Sequence, residues 1–510
     1  MISDAVAAGR VSRVVGYKLQ KGFPPLSGVN LPQRIAILGP ANAAEEATAP
    51  SVATEILSAA EAGNLYGYGS TIHQIARILR PINSDGVGAI PTFVYRQAAP
   101  GGAVAASRSL TVTAATVTAN VTHYVKINGR ASLDGSAYAV GITTDDDADS
   151  IAVKVAAAVT AILGAPVTAA VNGVTTNQVD ITAKFAGTLS EELSVEVDTG
   201  SNAAGVTYAV ASLAVGSGDH VVSPTTFGNE WNTIVINPYG ANTAALDALE
   251  FINGVPDPDT PTGNYAAIRY TPFVALFGST DATISNVKVV TTPRKDEVTN
   301  VVCPAPNSKG TTAEAAANVA SLLAIQAQNS PHLDTAGKSY PDMPTPSDGD
   351  IGDYADYSLR DDSAKNGAST VDLVSDVYEV QDLVTTYHPE GENPPSFRFV
   401  RSLVQDFNVA YGYRLREDIY VRDKAIASND QIVEVGDVIK PKQWVQVQRA
   451  YADDLSARAI ITDADFMKES ILVGTSDTNP DRLETFFRYK RSPFTRIAST
   501  TAEANFAFNL

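Results

Sequence analysis

Residues 233–254, TIVINPYGANTAALDALEFING, place a strand-length apolar run, Thr233 to Asn237, just ahead of a helical stretch, Thr243 to Ile252. The pattern continues downstream. Phe273 to Phe277, Asn286 to Val290 and Val298 to Val302 read as strands, and Thr312 to Gln328 as a long Ala-rich helix. Upstream, Arg34 to Leu38 is a short buried strand ending at Gly39-Pro40, and Ser51 to Ala60 a helix with Ser51 as N-cap. Ser70 to Leu79 is a second helix, with Ile72, Ile75, Ala76 and Leu79 at helical spacing and Pro81 as its stop; Thr92 to Tyr95 is the next strand. Alternating strands and helices predict a sheet covered by helices.

The alternation is interrupted once. Residues 98–222 turn Ala/Val/Thr/Gly-rich, with short alternating stretches at Leu110 to Thr118, His123 to Ile127 and Gln178 to Ala183 around one helix, Ser150 to Leu163. This predicts a β-rich domain inserted into the first. A polar, Pro- and Asp-rich loop at 331–368 precedes a second α/β stretch. There Tyr378 to Thr386 is a strand, and Ser396 caps a helix whose apolar positions are Phe397, Val400, Val404, Phe407 and Tyr411. Pro441 opens another helix with Trp444, Val447, Tyr451 and Leu455 on one stripe. The expected division is an arm at 1–30, a core from 31–97 plus 223–375, the insertion at 98–222, a C-terminal domain at 376–490 and a closing arm at 491–510.

Both ends have strand character. Val11, Arg13, Val15, Tyr17 and Leu19 alternate along one short strand before Gly22, Pro24 and Pro25 break it. At the other end Ala502, Ala504, Phe506, Phe508 and Leu510 share one face of a strict alternation. A lone strand must pair with something, and an apolar one left open is an aggregation hazard. Charge sets the ends apart as well. The 510-residue chain carries −19, yet residues 1–34 carry +4 and residues 482–510 carry +3, so the stretch between holds −26. Basic ends on an acidic body fit docking on a neighbouring copy.

Composition excludes several classes. With 44% hydrophobic and 18% charged residues the chain is neither disordered nor membrane-spanning in character. Its acidity argues against wrapping nucleic acid. The start lacks a basic region followed by an apolar one, so no signal peptide is expected. Cys303 is the single cysteine, which rules out an internal disulfide and fits a reducing compartment. No catalytic constellation emerges. Gly337-Lys338-Ser339 imitates the end of a P-loop, but His332 stands where its first glycine belongs. Gly67-Tyr68-Gly69-Ser70 is the nearest approach to a nucleophile elbow, and Ser70 reads better as a helix cap. The five histidines, His73, His123, His220, His332 and His388, are scattered. The Asp145–Asp149 and Asp348–Asp353 clusters lack an EF-hand pattern. No cofactor, metal or catalytic residue is expected.

Several stretches resemble the Mu-like family of contractile tail sheath proteins. Asn64-Leu65-Tyr66-Gly67-Tyr68-Gly69-Ser70, running into Ile72 to Leu79, is similar to that family's FG-x-GS helix start. Asp149 to Leu163, then Pro166-Val167-Thr168-Ala169 and Val179 to Gly187, resemble its inserted domain. Gly367-Ala368-Ser369-Thr370, Val384-Thr385-Thr386-Tyr387, and Asn479-Pro480 through Leu510 resemble later blocks, in order, over nearly the whole chain. Ser330-Pro331-His332-Leu333 departs from the family's Asp-Pro-Ala-Arg-Pro-Leu-like segment, and Pro394-Pro395 departs from its acidic turn.

The resemblance implies an α/β (α+β) multidomain fold: a mixed-sheet sheath core, an inserted β-rich outer domain, and a smaller C-terminal α/β domain completed by terminal strand exchange. It implies a non-enzymatic subunit that stacks as hexameric rings in a helical polymer around the tail tube protein. Baseplate and tail terminator proteins would be further partners, with no direct contact to nucleic acid or membrane. Contraction would drive the tube through the host envelope for genome delivery. Assembly would occur in the host cytoplasm, and the product would reside in the virion tail. Lys442, Arg449 and Arg458 are candidate tube contacts on the C-terminal domain. The rival readings are an exported surface-array or adhesin protein, suited by the Ala/Thr/Val-rich module but needing an export signal, and an α/β enzyme, which needs a pocket of paired titratable groups.

Overall fold

The computed structural model describes residues 30–503, apart from 219, 224–226 and 393. Strand β1 (Ile35–Gly39) is buried along its whole length, as a parallel strand covered on both faces must be. A two-residue edge strand, β2 (Thr54–Glu55), precedes helices α1 (Ala59–Tyr66) and α2 (Thr71–Leu79) and strand β3 (Thr92–Arg96). The helix expected over Ser51 to Ala60 is therefore shifted. Residues 54–55 pair antiparallel with β3, and Ser58 caps α1 through the Glu61 amide while Glu61 accepts from the Leu57 amide. Ser70 caps α2 as expected.

Between β3 and the rest of the main sheet lies the inserted chain. It comprises β4 (Ser107–Ala114), β5 (Val121–Ile127), the small hairpin β6 (Ser132–Leu133) and β7 (Ser136–Ala137), β8 (Ala139–Ile142), α3 (Ala148–Thr160), β9 (Val167–Val171), β10 (Gln178–Ala183), β11 (Val195–Asp198) and β12 (Val206–Ala214). Sheets β12-β4-β10-β9 and β11-β5-β8 enclose α3 around a hydrophobic cluster of their own. The acidic run before α3 has a local role: Asp147 forms a capping box with Ser150, and Asp146 pairs with Lys154 at 2.6 Å.

The main sheet resumes with β13 (Ile234–Asn237), α4 (Thr243–Asn253), β14 (Val274–Ser279), α5 (Ile284–Thr291) and β15 (Asn300–Pro304). Its order is β15-β14-β13-β1-β3-β2, parallel except for β2. The strand expected at Asn286 to Val290 is helix α5. Its β-branched residues mimic a strand, but Ile284, Val287 and Thr291 bury one face at helical spacing. Strands β14 and β15 pair directly and in parallel, so the link between them must be a crossover rather than a further strand. Helices α1 and α2 and the long α6 (Thr312–Asn329) pack on one face of the sheet, and α4 on the other. Helix α6 starts in a capping box of Thr311 and Glu314. At the end of β14, a Cβ on Gly278 would lie 2.0 Å from the Thr312 carbonyl oxygen, so only glycine admits this close approach of helix to strand.

Helix α7 (Tyr357–Lys365) leads to the hairpin β16 (Thr370–Val374) and β17 (Val377–Asp382). Gly337, in the P-loop-like tripeptide, donates its amide to the Val380 carbonyl, so this stretch is a rung beside the hairpin. Helix α8 (Val400–Tyr420) starts four residues past Ser396, whose hydroxyl and amide are engaged by Glu392 instead. The chain then forms β18 (Ala425–Ile426), β19 (Val438–Ile439), α9 (Pro441–Ala457), α10 (Ala464–Ser470), β20 (Leu472–Thr475) and β21 (Leu483–Phe486). The main apolar cluster runs through Val371, Tyr378 and Leu383 into Val400, Leu403, Val404 and Phe407 of α8. Val409 of the same helix belongs to a separate cluster with Tyr451, Leu455, Ile460 and Met467. The molecule is a mixed α/β structure of several sheets. Among the described residues no helix is long and apolar enough to cross a membrane.

Candidate assembly surface

The insertion is fastened to the core by polar contacts at several points. Gly69 sits at φ +89°, and a Cβ there would lie 2.1 Å from the Ala165 carbonyl oxygen, so both the turn and the close approach of the inserted chain demand glycine. Gln74 donates to the Gly164 carbonyl at 2.8 Å, and Arg77 pairs with Asp134 at 2.9 Å. Arg130 spans Glu314 at 3.1 Å and Asp342 at 2.6 Å. The Glu192 carboxylate accepts from the Thr312 amide at 2.8 Å and from its hydroxyl at 2.6 Å. Burial, with Glu314 close by, pushes Glu192 up to about 7.

His73 and Cys303 are both buried. His73 lies buried in α2, accepts from the Gly69 amide at 3.2 Å and is held down to about 4 by burial. Cys303 is buried in β15, and burial pushes its thiol up. Among the described residues no group of three or more His, Cys, Asp or Glu side chains is arranged to hold a metal ion.

The C-terminal region has a sheet with room to grow. Strands β20 and β21 pair antiparallel, with Leu472 opposite Phe486 and Val473 opposite Thr485. They form a two-stranded sheet that no other described strand extends. Trp444 of α9 fixes one face through a hydrogen bond from its indole to the Thr485 hydroxyl at 2.9 Å. On the opposite face Leu472 is 65% exposed and Phe486 49% exposed. Two strands alone are marginal in water, so this sheet relies on α9, and among the described residues no strand pairs with either of its outer edges.

Beyond β21 the chain is anchored to its own body as far as Arg496. Phe487 and Tyr489 pack against the C-terminal cluster. Arg491 forms a two-pronged pair with Asp406, at 2.8 Å from Nε and 2.6 Å from Nη2. Arg496 pairs with Asp382 at 2.7 Å and also with Asp334. From 498 to 503 the residues are exposed and outside any strand.

Of the residues singled out for strand exchange, Ala502 falls in this exposed stretch. Val11, Arg13, Val15, Tyr17, Leu19, Ala504, Phe506, Phe508 and Leu510 lie outside the described residues. Lys442 and Arg449 are exposed on α9, one at each end of a seven-residue interval that places them on one side of the helix. Arg458 is separate from them: it pairs with Asp454 at 3.2 Å and donates to the Asn30 side chain at 3.2 Å. The carboxylates that hold Arg491 and Arg496 were invisible to sequence reading. The basic character of residues 482–510 was the only available signal, and the partners lie 85 to 162 residues away.

No protein-family model matches this chain, and no curated protein matches it. Among solved structures, the chain is similar to the sheath tail protein from Desulfitobacterium hafniense. The identity is 11%, the match covers 93% of this chain and 99% of that one, and the TM-score is 0.43.

Proposed function

We propose that this chain is the sheath subunit of a contractile tail, a structural protein that polymerises through its terminal segments. The observation that carries this reading is the β20–β21 sheet, which no other described strand extends, beside the anchored root of the C-terminal segment. An incomplete sheet with free edges takes up extended chain by strand addition, in which backbone hydrogen bonds supply affinity and alternating side chains supply register. Residues 498–510 and 11–19 are the strands to be donated, each to a neighbouring copy. At ~0.5–1.5 kcal/mol net per hydrogen bond, about five to seven bonds contribute roughly 3–10 kcal/mol per strand. Such links survive while rigid bodies slide, which suits a collective change from an extended to a compact lattice.

Copies would stack as hexameric rings around a tail tube protein, meet baseplate and terminator proteins at the polymer ends, and make no direct contact with nucleic acid or membrane. The assembly would form in the host cytoplasm and belong to the virion tail. Lys442 and Arg449 remain the candidate tube contacts. The division into arms, core, outer insertion and inner C-terminal domain is part of the same proposal.

The test is negative-stain microscopy of the purified chain, with and without the five residues Phe506–Leu510. Striated tubes from the full chain and a soluble, unassembled product from the truncated one are expected. Normal tubes from the truncated protein would overturn strand exchange at this end, while discrete particles or flat arrays from the full chain would favour the enzyme or surface-array readings.

A further inference from the structure

The two ends of the described chain meet on one stretch of α8. On one side, the Leu31 amide donates to Asn408 Oδ1 at 2.8 Å, and the Asn408 Nδ2 donates to the Val404 carbonyl at 2.8 Å. Neighbouring bonds tie the same end to α6: Asn30 Nδ2 to the Gln328 carbonyl at 3.0 Å, and the Gln33 amide to Gln328 Oε1 at 2.8 Å. On the other side, Asp406 takes both prongs of Arg491 and the Tyr489 hydroxyl at 2.9 Å. Arg401 donates to the Ser492 carbonyl at 2.8 Å, and Gln405 donates to it at 3.4 Å.

Arg401, Gln405, Asp406 and Asn408 are all buried, within a helix segment that is otherwise core: Val400, Leu403, Val404 and Phe407 face the main cluster. Burying polar side chains costs free energy unless each finds a hydrogen-bond partner. Each makes a hydrogen bond to the chain at 31 or at 489–492.

We propose that residues 401–408 of α8 are a mechanical node that joins the roots of the two terminal segments, so that load arriving on one is passed to the other through this short helix. The segments are engaged by second copies of this chain, and the inference therefore rests on the sheath reading. The alternative path for load entering at residue 30 runs through β1, which lies inside the parallel sheet, and on through β13 and β3. The bonds from Leu31 to Asn408 and from Asn30 and Gln33 to α6 intercept that load first. The bonds to Asp406 and Arg401 do the same for the other end. The sheet and the insertion are thereby spared when the polymer is under tension.

The experiment is single-molecule pulling on the full chain with handles at residues 1 and 510. The expected first event is a short release. Freeing residues 491–496, the stretch held by Arg491 and Arg496, lengthens the tether by about 20 Å at ~3.5 Å per residue. The long extensions of body unfolding come later and at higher force. Asp406→Asn lowers the force of the short event and leaves the body's unfolding force unchanged, and Arg491→Met does the same from the other side of the pair. Body unfolding at or below the force of the short event would overturn the node, as would an unchanged short event in both variants. Wild-type chain that shows the short event but never forms tubes under the microscope would sink the sheath reading instead, so the two failures are distinguishable.

Discussion

Replacing Arg130 with Met is the sharpest test of how the insertion is held. The methionine keeps most of the apolar stem and removes the guanidinium. Two carboxylates lose their partner. Asp342 is 42% exposed, and its share is small, about 0–1 kcal/mol, because water replaces the ion. Glu314 is 3% exposed and is left as a buried charge. Removing one partner of a buried pair typically costs about 3–5 kcal/mol. Glu314 keeps one charge-assisted bond, from the Thr311 amide at 2.9 Å, which places the expected loss at the low end, about 3 kcal/mol. Hydrogen exchange by mass spectrometry should read this locally in peptides covering 126–130 and 309–318, as amide exchange accelerated roughly a hundredfold. Glu314→Gln in the same chain removes the stranded charge while its oxygen still accepts from Thr311, so the double variant should recover at least half of the loss. A change below about threefold in Arg130→Met, or a double variant worse than the single, would refute the reasoning.

Other expectations concern separate parts of the molecule. Glu192 is held up to about 7 in the folded chain against an ordinary value of 4.5, so the folded state keeps a proton that the unfolded chain releases. Its contribution to stability is full below pH 4.5, falls as pH rises towards 7 and is gone above it. Glu192→Gln should therefore flatten the decline in thermal stability between pH 5 and 8, leaving the part due to Glu250, which burial also holds at about 7. Gly412→Ala in α8 gains up to about 1 kcal/mol of helix propensity, but its Cβ would sit 2.6 Å from the buried Tyr451 hydroxyl. Overpacking costs about 1–3 kcal/mol, so the net effect on a urea melt should be destabilising and should be relieved by Tyr451→Phe. Leu472→Glu on the exposed face of β20 should change the subunit's own stability by no more than about 0.5 kcal/mol, yet reduce tube formation in sedimentation assays.

Much of the α/β pattern could be read locally, and the reasons are visible in the side chains. Strand β1 announces itself as an apolar run stopped by Gly39-Pro40, and α2 as a Ser70 cap followed by helical spacing. Helices α3 and α6 fall close to their expected bounds because their start signals are carried within one turn by the capping boxes of Asp147 with Ser150 and Thr311 with Glu314. The misreadings came where neighbours outside the segment decide. The β-branched residues of α5 favour a strand on propensity, and only the direct pairing of β14 with β15 forces a helix between them. Ser51 and Ser396 both look like caps, but edge pairing with β3 claims the chain after Ser51, and Glu392 claims Ser396. The anchoring of the ends was the least legible part. The alternation in the terminal segments signalled a need for partners, yet nothing near Asp406 or Asn408 in the sequence indicates that one helical segment serves both ends.

A reconstruction of assembled tubes, at a resolution that traces individual strands, tests the central claim most directly. The account predicts that β20 and β21 become inner strands of a larger sheet whose added outer strands are residues 11–19 and 498–510 of other copies. Tubes in which that sheet keeps two strands, or in which its added strands trace back to the same subunit, would contradict it.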